Sequence, residues 1–276
     1  MRIVVIGCNG FMGKAISNEL DLLGIESIGI SKEDFNLLED VTSTKLSKVL
    51  KQDDQIVFTS SIAPSKSAED VRNSIKMAET FCKSIESINI KQVLIISSDS
   101  VYGDRTGLFN ENSPCNPNSF HGVSQLSREI TLQNAKIENL GILRLSAVYG
   151  YGDTHNSYGP NRFINQIRNS ESIKIFGKGF NSRDHIHIDD VVNLVIRCLK
   201  IDFKGTMNLV SGKSYSFKAV ADKCKIAFKS ESSIENIGFE GEIIIKNFDN
   251  SKIWEFFPDF RFMKLDDRLV LLNEQL

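Results

Sequence analysis

The 276-residue chain has only five cysteines, four histidines and a single tryptophan. Cys8, Cys82, Cys115, Cys198 and Cys224 are widely spaced and form no C-x-x-C pair. That pattern excludes a disulfide framework and fits reduced, mostly buried thiols. The histidines lack ligand spacing, and the one close pair, His185-Ile186-His187, alternates as a strand does, so no metal is expected. A basic excess is also missing: 33 Lys and Arg face 35 Asp and Glu. Neither nucleic acid nor an anionic membrane surface is therefore an expected partner. No apolar run approaches the ~20 residues needed to cross a bilayer. The chain enters a strand-like run at Ile3 without a basic leader, and a cytoplasmic protein is expected.

What is present is alternation. Short runs rich in Ile and Val occur at Ile3–Ile6, Ser27–Ile30, Gln55–Thr59, Gln92–Ile96 and Gly141–Leu145. Between most of them lie longer amphipathic stretches, Lys14–Leu23, Glu69–Ser87 and Val123–Asn134. This pattern predicts βαβ units, hence an α/β fold with a doubly wound parallel sheet covered on both faces. The stretch from Gly150 to Pro160 is rich in Gly, Tyr and Asn and reads as a loop leaving the sheet. After Lys204 the pattern is more irregular and predicts a small C-terminal lobe. The expected division is 1–153 with about 184–204 for the sheet domain, and about 154–183 with 205–276 for the lobe.

Gly7, Gly10 and Gly13 fall between the first strand and the first helix, the context in which a glycine loop binds a dinucleotide. They allow a tight turn, close backbone approach to a pyrophosphate and close packing of helix on strand. Asn9, Phe11 and Met12 share that loop. At the end of the second strand, the position that carries an acidic residue in NAD-preferring proteins falls on Ser31, with Lys32 next. A hydroxyl followed by an ammonium accepts a 2′-phosphate where a carboxylate would repel it. NADP is thus favoured over NAD, although Glu33 and Asp34 dilute the local positive field.

The glycine loop, the segments SSDSVYGD from Ser97 and SFHGVSQ up to Gln125, LRLSAVYGYGD from Leu143 and FGKGFNSRDHIHIDDVV from Phe176 together resemble the extended short-chain dehydrogenase/reductase family. Its members are mostly nucleotide-sugar epimerases, dehydratases and reductases, and the chain's length sits nearest the 4-keto-sugar reductases. The resemblance implies a Rossmann domain and a nucleotide-sugar substrate. Ser60, Ser61 and Val148 would line the cofactor beside the glycine loop. Ser98 would polarise the substrate oxygen, with Asp99 where dehydratases keep a general acid. Tyr149 and Arg183 would face the substrate, Arg183 as a planar cation meeting a diphosphate. The other reading pairs Arg183 with Asp184 or Asp190. His187, Asp189 and Asp190 read as braces of a turn, with Asp189 capping a helix from near Val191. A homodimer through the two long helices Glu69–Ser87 and Val123–Asn134 is implied by analogy.

The chain departs from the family at the centre of the chemistry. The family's catalytic Tyr and the Lys four residues later are replaced by His121 and Gln125. The i, i+4 spacing keeps both on one helix face. Two readings stay open. In one, His121 moves the proton, since an imidazole titrates near neutrality unaided, and Gln125 hydrogen-bonds a ribose hydroxyl. In the other, the redox chemistry is lost and the chain is a nucleotide-binding or regulatory homologue. Tyr102, Tyr149, Tyr151 and His155 are further candidate acid/base groups.

Overall fold

The computed structural model describes residues 2–153, 159–238 and 241–275; His155 lies outside them. In chain order the elements are β1 (Ile3–Ile6), α1 (Phe11–Leu22), β2 (Ser27–Ile30), α2 (Thr42–Leu46), β3 (Gln55–Phe58), α3 (Ala68–Ile85) and β4 (Gln92–Ser98). A 3-10 turn (Asp99–Tyr102) leads to β5 (Gly107–Phe109), α4 (Phe120–Gln133), β6 (Leu140–Leu145), β7 (Ala147–Tyr149), α5 (Pro160–Arg168), β8 (Ile173–Phe176), β9 (Ser182–His187) and α6 (Ile188–Lys200). Then come β10 (Gly205–Leu209), β11 (Ser214–Ser216), α7 (Phe217–Ala227), β12 (Ile234–Ile237), β13 (Lys246–Phe248), α8 (Ser251–Phe256) and α9 (Leu265–Gln275). The chain divides into two compact units.

The first unit comprises residues 1–103, 114–144 and 192–207. Its centre is a six-stranded parallel sheet in the order β10-β6-β4-β3-β1-β2. In β1, β3 and β4 nearly every residue is buried, as expected of parallel strands covered on both faces. Ile6, Ile56, Phe58, Phe81, Val93 and Ile95 form much of the core, and Phe58 stacks on Phe81 with ring centroids 4.5 Å apart. α3 starts at a capping box, in which Ser67 accepts the Asp70 N–H and Asp70 accepts the Ser67 N–H. β1 pairs with β2 on one side and β3 on the other. The chain therefore reverses direction across the sheet between β1 and β3, the place where doubly wound sheets open a crevice at their carboxyl ends. The glycine loop follows β1, and Ser60-Ser61 follow β3.

The second unit comprises residues 104–113, 145–191 and 208–276. A three-stranded sheet, β11-β9-β7, is joined by the two-stranded pairs β12-β8 and β13-β5. Phe163, Ile173, Ile175, Val220 and Leu269 lie in its core. The irregular C-terminal lobe expected from sequence thus contains regular elements, most of them too short to give a clear period. The boundaries also differ from those expected. Residues 145–153 go with the second unit because β7 pairs with β9 rather than extending the large sheet. α6 starts at Ile188, so Asp189 stands inside the first turn instead of capping it. His187 Nδ1 accepts the N–H of Asp189 at 3.2 Å, which satisfies a donor at that helix start. Among the described residues no helix is long and apolar enough to cross a membrane. Among the same residues, no group of three or more His, Cys, Asp or Glu is arranged to hold a metal ion.

Candidate active site

The glycine loop is built as its spacing predicts. Gly7 has φ +97°, and its N–H donates to Ile30 O at 2.7 Å, closing the turn against β2. A Cβ on Gly13 would lie 2.1 Å from Gly7 O, so only glycine lets α1 sit this close to the loop. Gly10 precedes α1 and supplies no side-chain cap. The first N–H groups of α1 are left for a ligand, and with the helix dipole they suit a diphosphate. These features fit a dinucleotide, which Gly7, Gly10, Phe11, Met12 and Gly13 would hold through their backbone.

At the adenosine end the geometry departs from the Ser31-Lys32 reading. Ser31 is nearly buried; its hydroxyl donates to Asp34 Oδ2 at 2.7 Å and its N–H to the same oxygen at 3.0 Å. The turn so formed carries Glu33 back to the glycine loop, where its carboxylate accepts from Asn9 Nδ2 at 3.1 Å. Lys32 points to solvent. Hydrogen bonds hold both carboxylates below their usual range. For Asp34 the Ser31 hydroxyl is the main cause; for Glu33 it is its own backbone N–H, then Ser31.

Ser98 closes β4 and caps the 3-10 turn: its oxygen accepts the Ser100 N–H at 3.1 Å, while its hydroxyl lies 3.3 Å from Asp99 Oδ1. Asp99 itself is buried. The start of α4, capped by Ser119, packs on this turn through Gly122, where a Cβ would stand 2.5 Å from Ser100 O. His121 is thereby brought to the turn that Ser98 begins. Its Nδ1 accepts the N–H of Ser65 at 3.4 Å, which leaves the ring proton on Nε2. One helical turn on, Gln125 is buried and its Oε1 accepts from Arg128 Nη1 at 2.5 Å. Arg128 also donates to Ile96 O at 3.0 Å and to Ser60 O at 2.9 Å, and its guanidinium lies 5.3 Å from the centre of the Phe58 ring. Burial lowers its pKa to about 10, against the pull of Glu129. The sequence reading missed Arg128. The available sign was a charged residue at i+3 from Gln125, on the face of α4 that turns inward.

Tyr102 is not placed to act as an acid or base. It is fully buried, and its oxygen accepts from Arg144 Nη1 at 3.0 Å. Arg144 in turn grips Glu129, which also accepts from the Ser97 hydroxyl.

In the second unit, Val148 is half-buried, while Tyr149 turns its ring into the core edge-on to His187, with centroids 5.1 Å apart. Burial pushes the Tyr149 phenol well above its ordinary range. Tyr151 is exposed. Arg183 lies on β9 opposite Tyr215 and is half-buried. Its neighbour Asp184 is fully buried and accepts from Ser146 Oγ, Ser211 N and Oγ, and Lys213 N at 2.7–3.0 Å. Desolvation raises the Asp184 pKa, opposed by those same donors. Asp190 is held by Arg268 at 2.7 Å.

A parallel sheet whose first strand feeds an uncapped, glycine-turned helix has the architecture of the dinucleotide-binding Rossmann proteins of the short-chain dehydrogenase type. The sequence model of the NAD dependent epimerase/dehydratase family matches residues 3–209. The chain belongs to that family. It is 28% identical over 273 residues to the ADP-L-glycero-D-manno-heptose-6-epimerase of Brachyspira hyodysenteriae, covering 86% of this chain and 84% of that one. Among solved structures, UDP-N-acetylglucosamine 4-epimerase from Bacillus cereus superposes with a TM-score of 0.84 at 22% identity, covering 100% of this chain and 99% of that one. UDP-glucuronic acid 4-epimerase from the same organism, in complex with UDP-glucuronic acid and NAD, gives 0.83 at 23% identity, over 99% and 98% of the two chains. At these identities the two structures establish the fold.

Proposed function

We propose that this protein is an NAD(H)-dependent epimerase or reductase acting at a keto carbon of a nucleotide-linked sugar. The observation that carries the proposal is the fixing of His121. Its imidazole is held by the Ser65 main chain with the proton on Nε2, on the helix end that packs on the turn begun by Ser98. Ser98 Oγ holds the substrate oxygen and His121 Nε2 donates the proton as that oxygen becomes a hydroxyl, or takes it back in the reverse direction. Bound NAD supplies the hydride chemistry at the sugar carbon. An imidazole is shorter than a phenol, so the oxygen sits closer to α4 than a tyrosine would require, or is reached through one water. Arg183 offers a planar cation to the diphosphate. Asp99 is buried and positions Ser98 rather than acting as a free acid.

The carboxylates at the end of β2 support NAD rather than NADP, against the preference read from Ser31 and Lys32. Glu33 stands beside Asn9 of the glycine loop, ready to accept ribose hydroxyls, and two ionised carboxylates there repel a 2′-phosphate. A homodimer through α3 and α4 is part of the proposal. Phe120, Val123 and Ile130 of α4 are exposed to solvent, and a monomer in light scattering would overturn it. All five cysteines are free thiols, which supports a reducing, cytoplasmic setting.

Calorimetric titration with NADH, NADPH and a panel of UDP-, ADP-, GDP- and dTDP-sugars tests the reading. Micromolar binding of NADH, at least tenfold tighter than NADPH, is expected, with Glu33→Ala narrowing the gap. Binding of a nucleotide sugar but of neither dinucleotide would overturn the redox reading in favour of a binding or regulatory homologue.

A further inference from the structure

Gln125 stands where the family keeps a lysine, and the loss of that cation is the main objection to a working cofactor site. Three residues along α4, however, the chain buries another one. Arg128 is among the largest side chains wholly shielded from solvent, and its acceptors are all neutral oxygens: Ile96 O, Ser60 O and Gln125 Oε1. The neighbouring carboxylate, Glu129, is engaged by Arg144 at 2.7 Å. Burying a guanidinium against neutral partners costs stability, so hydrophobic packing would be the cheaper way to fill this space.

The geometry shows what the cation does. A guanidinium only donates, so its contact with Gln125 fixes which end of the amide is which: oxygen toward Arg128, nitrogen away. Gln125 Nε2 is left with no acceptor among the described residues. The same guanidinium ties down Ser60 on the loop after β3 and Ile96 on β4, so it spans three segments at the carboxyl end of the sheet.

We propose that Arg128 is a positioning residue that takes over from the missing lysine by holding the Gln125 amide with its N–H groups turned toward a ribose hydroxyl of the bound dinucleotide. The inference rests on the reading that α4 faces that dinucleotide. The lysine's single mobile donor is replaced by a two-part device: a fixed amide donor in front and a buried cation behind it, which polarises the amide.

Gln125→Glu and Gln125→Lys separate this from a merely structural role, read by NADH calorimetry and by thermal unfolding of the free protein. The carboxylate keeps an acceptor for Arg128 but removes the outward donor. Gln125→Glu is therefore expected to unfold at or above the wild-type temperature while binding NADH about tenfold more weakly, the worth of one hydrogen bond of about 1.4 kcal/mol. Gln125→Lys restores the family's residue but sets an ammonium against Arg128, so weaker binding than wild type and a lower unfolding temperature are expected. Arg128→Lys, combined with Gln125→Ala, completes a cycle in which the double variant binds no worse than the Gln125→Ala single one. Unchanged NADH affinity in Gln125→Glu, tighter binding in Gln125→Lys, or additive losses in the cycle would overturn the assignment. If Arg128→Lys does not fold, the two Gln125 variants still decide. If wild type binds neither NADH nor NADPH, the parent reading fails and this one with it; if wild type binds and the variants behave otherwise, only the role of Arg128 falls.

Discussion

The imidazole of His121 is held from behind by the main chain, with Nδ1 3.4 Å from the N–H of Ser65. That contact favours the neutral tautomer with its proton on Nε2, the atom that the proposed function assigns to proton transfer. His121→Ala is expected to lower kcat on a competent substrate by about 10²–10⁴-fold, with NADH affinity and unfolding temperature nearly unchanged. Turnover within threefold of wild type would remove His121 from the chemistry.

The parts of the molecule legible in the sequence were those set by local periodicity. β1 and β2 fall where their apolar runs do, and the ends of β3, β4, α3 and α4 are displaced by at most three residues. The glycine loop was readable because each glycine answers a local steric need. What could not be read depends on folding back in space. The proximity of Glu33 to Asn9 comes from the turn that Ser31 makes with Asp34, not from position along the strand. Arg128 looked like any charged residue on an amphipathic helix, and only the tertiary structure shows its guanidinium turned inward. In the second unit the strands are short and their pairings distant in sequence, so apart from the alternation at His185-Ile186-His187 in β9 they gave little period to read.

Glu129 and Arg144 form a buried pair that joins α4 to β6, with side chains 1% and 7% exposed. Burial alone would pull Arg144 down, but Glu129 outweighs it, and the guanidinium ends above its ordinary value. Glu129→Ala leaves that buried charge without its carboxylate and is expected to cost about 3–5 kcal/mol in urea unfolding. A loss below about 1 kcal/mol would mean that water or a rearranged side chain solvates Arg144.

Gly122 tests the close packing that brings His121 to the Ser98 turn. In an open helix position, Gly→Ala would stabilise by up to about 1 kcal/mol. Here the added Cβ would stand 2.5 Å from Ser100 O, a backbone atom that cannot swing away. Gly122→Ala is expected instead to destabilise by about 1–3 kcal/mol and to lower kcat more than tenfold by moving α4 off the turn. A more stable variant with normal turnover would show that α4 does not bear on Ser100.

Arg268 offers a pH test in the second unit, because it binds two carboxylates of opposite character. It contacts Asp189, whose side chain is 60% exposed, at 2.9 Å and Asp190, 8% exposed, at 2.7 Å. Asp189 is held below its ordinary pKa, first by His187, whose Nδ1 lies 3.4 Å from its carboxylate, with Arg268 adding to it. Its contribution is therefore present above the unfolded value of about 3.9 and is lost as pH falls through the folded one. Being exposed, it is screened, so Asp189→Asn is expected to cost under about 1 kcal/mol at pH 7 and progressively less as pH falls below the unfolded value. Asp190 is raised, chiefly by burial, even with Arg268 in place. Removing the arginine raises it further and leaves an uncompensated buried carboxylate at neutral pH. Arg268→Ala is thus expected to lose about 3–5 kcal/mol at pH 7, and the deficit should shrink as pH falls and Asp190 takes up a proton. Urea unfolding of wild type and Arg268→Ala at pH 7 and pH 4 measures it. A deficit that stays constant between the two would mean that Arg268 stabilises α6 and α9 through packing of its stem rather than through charge.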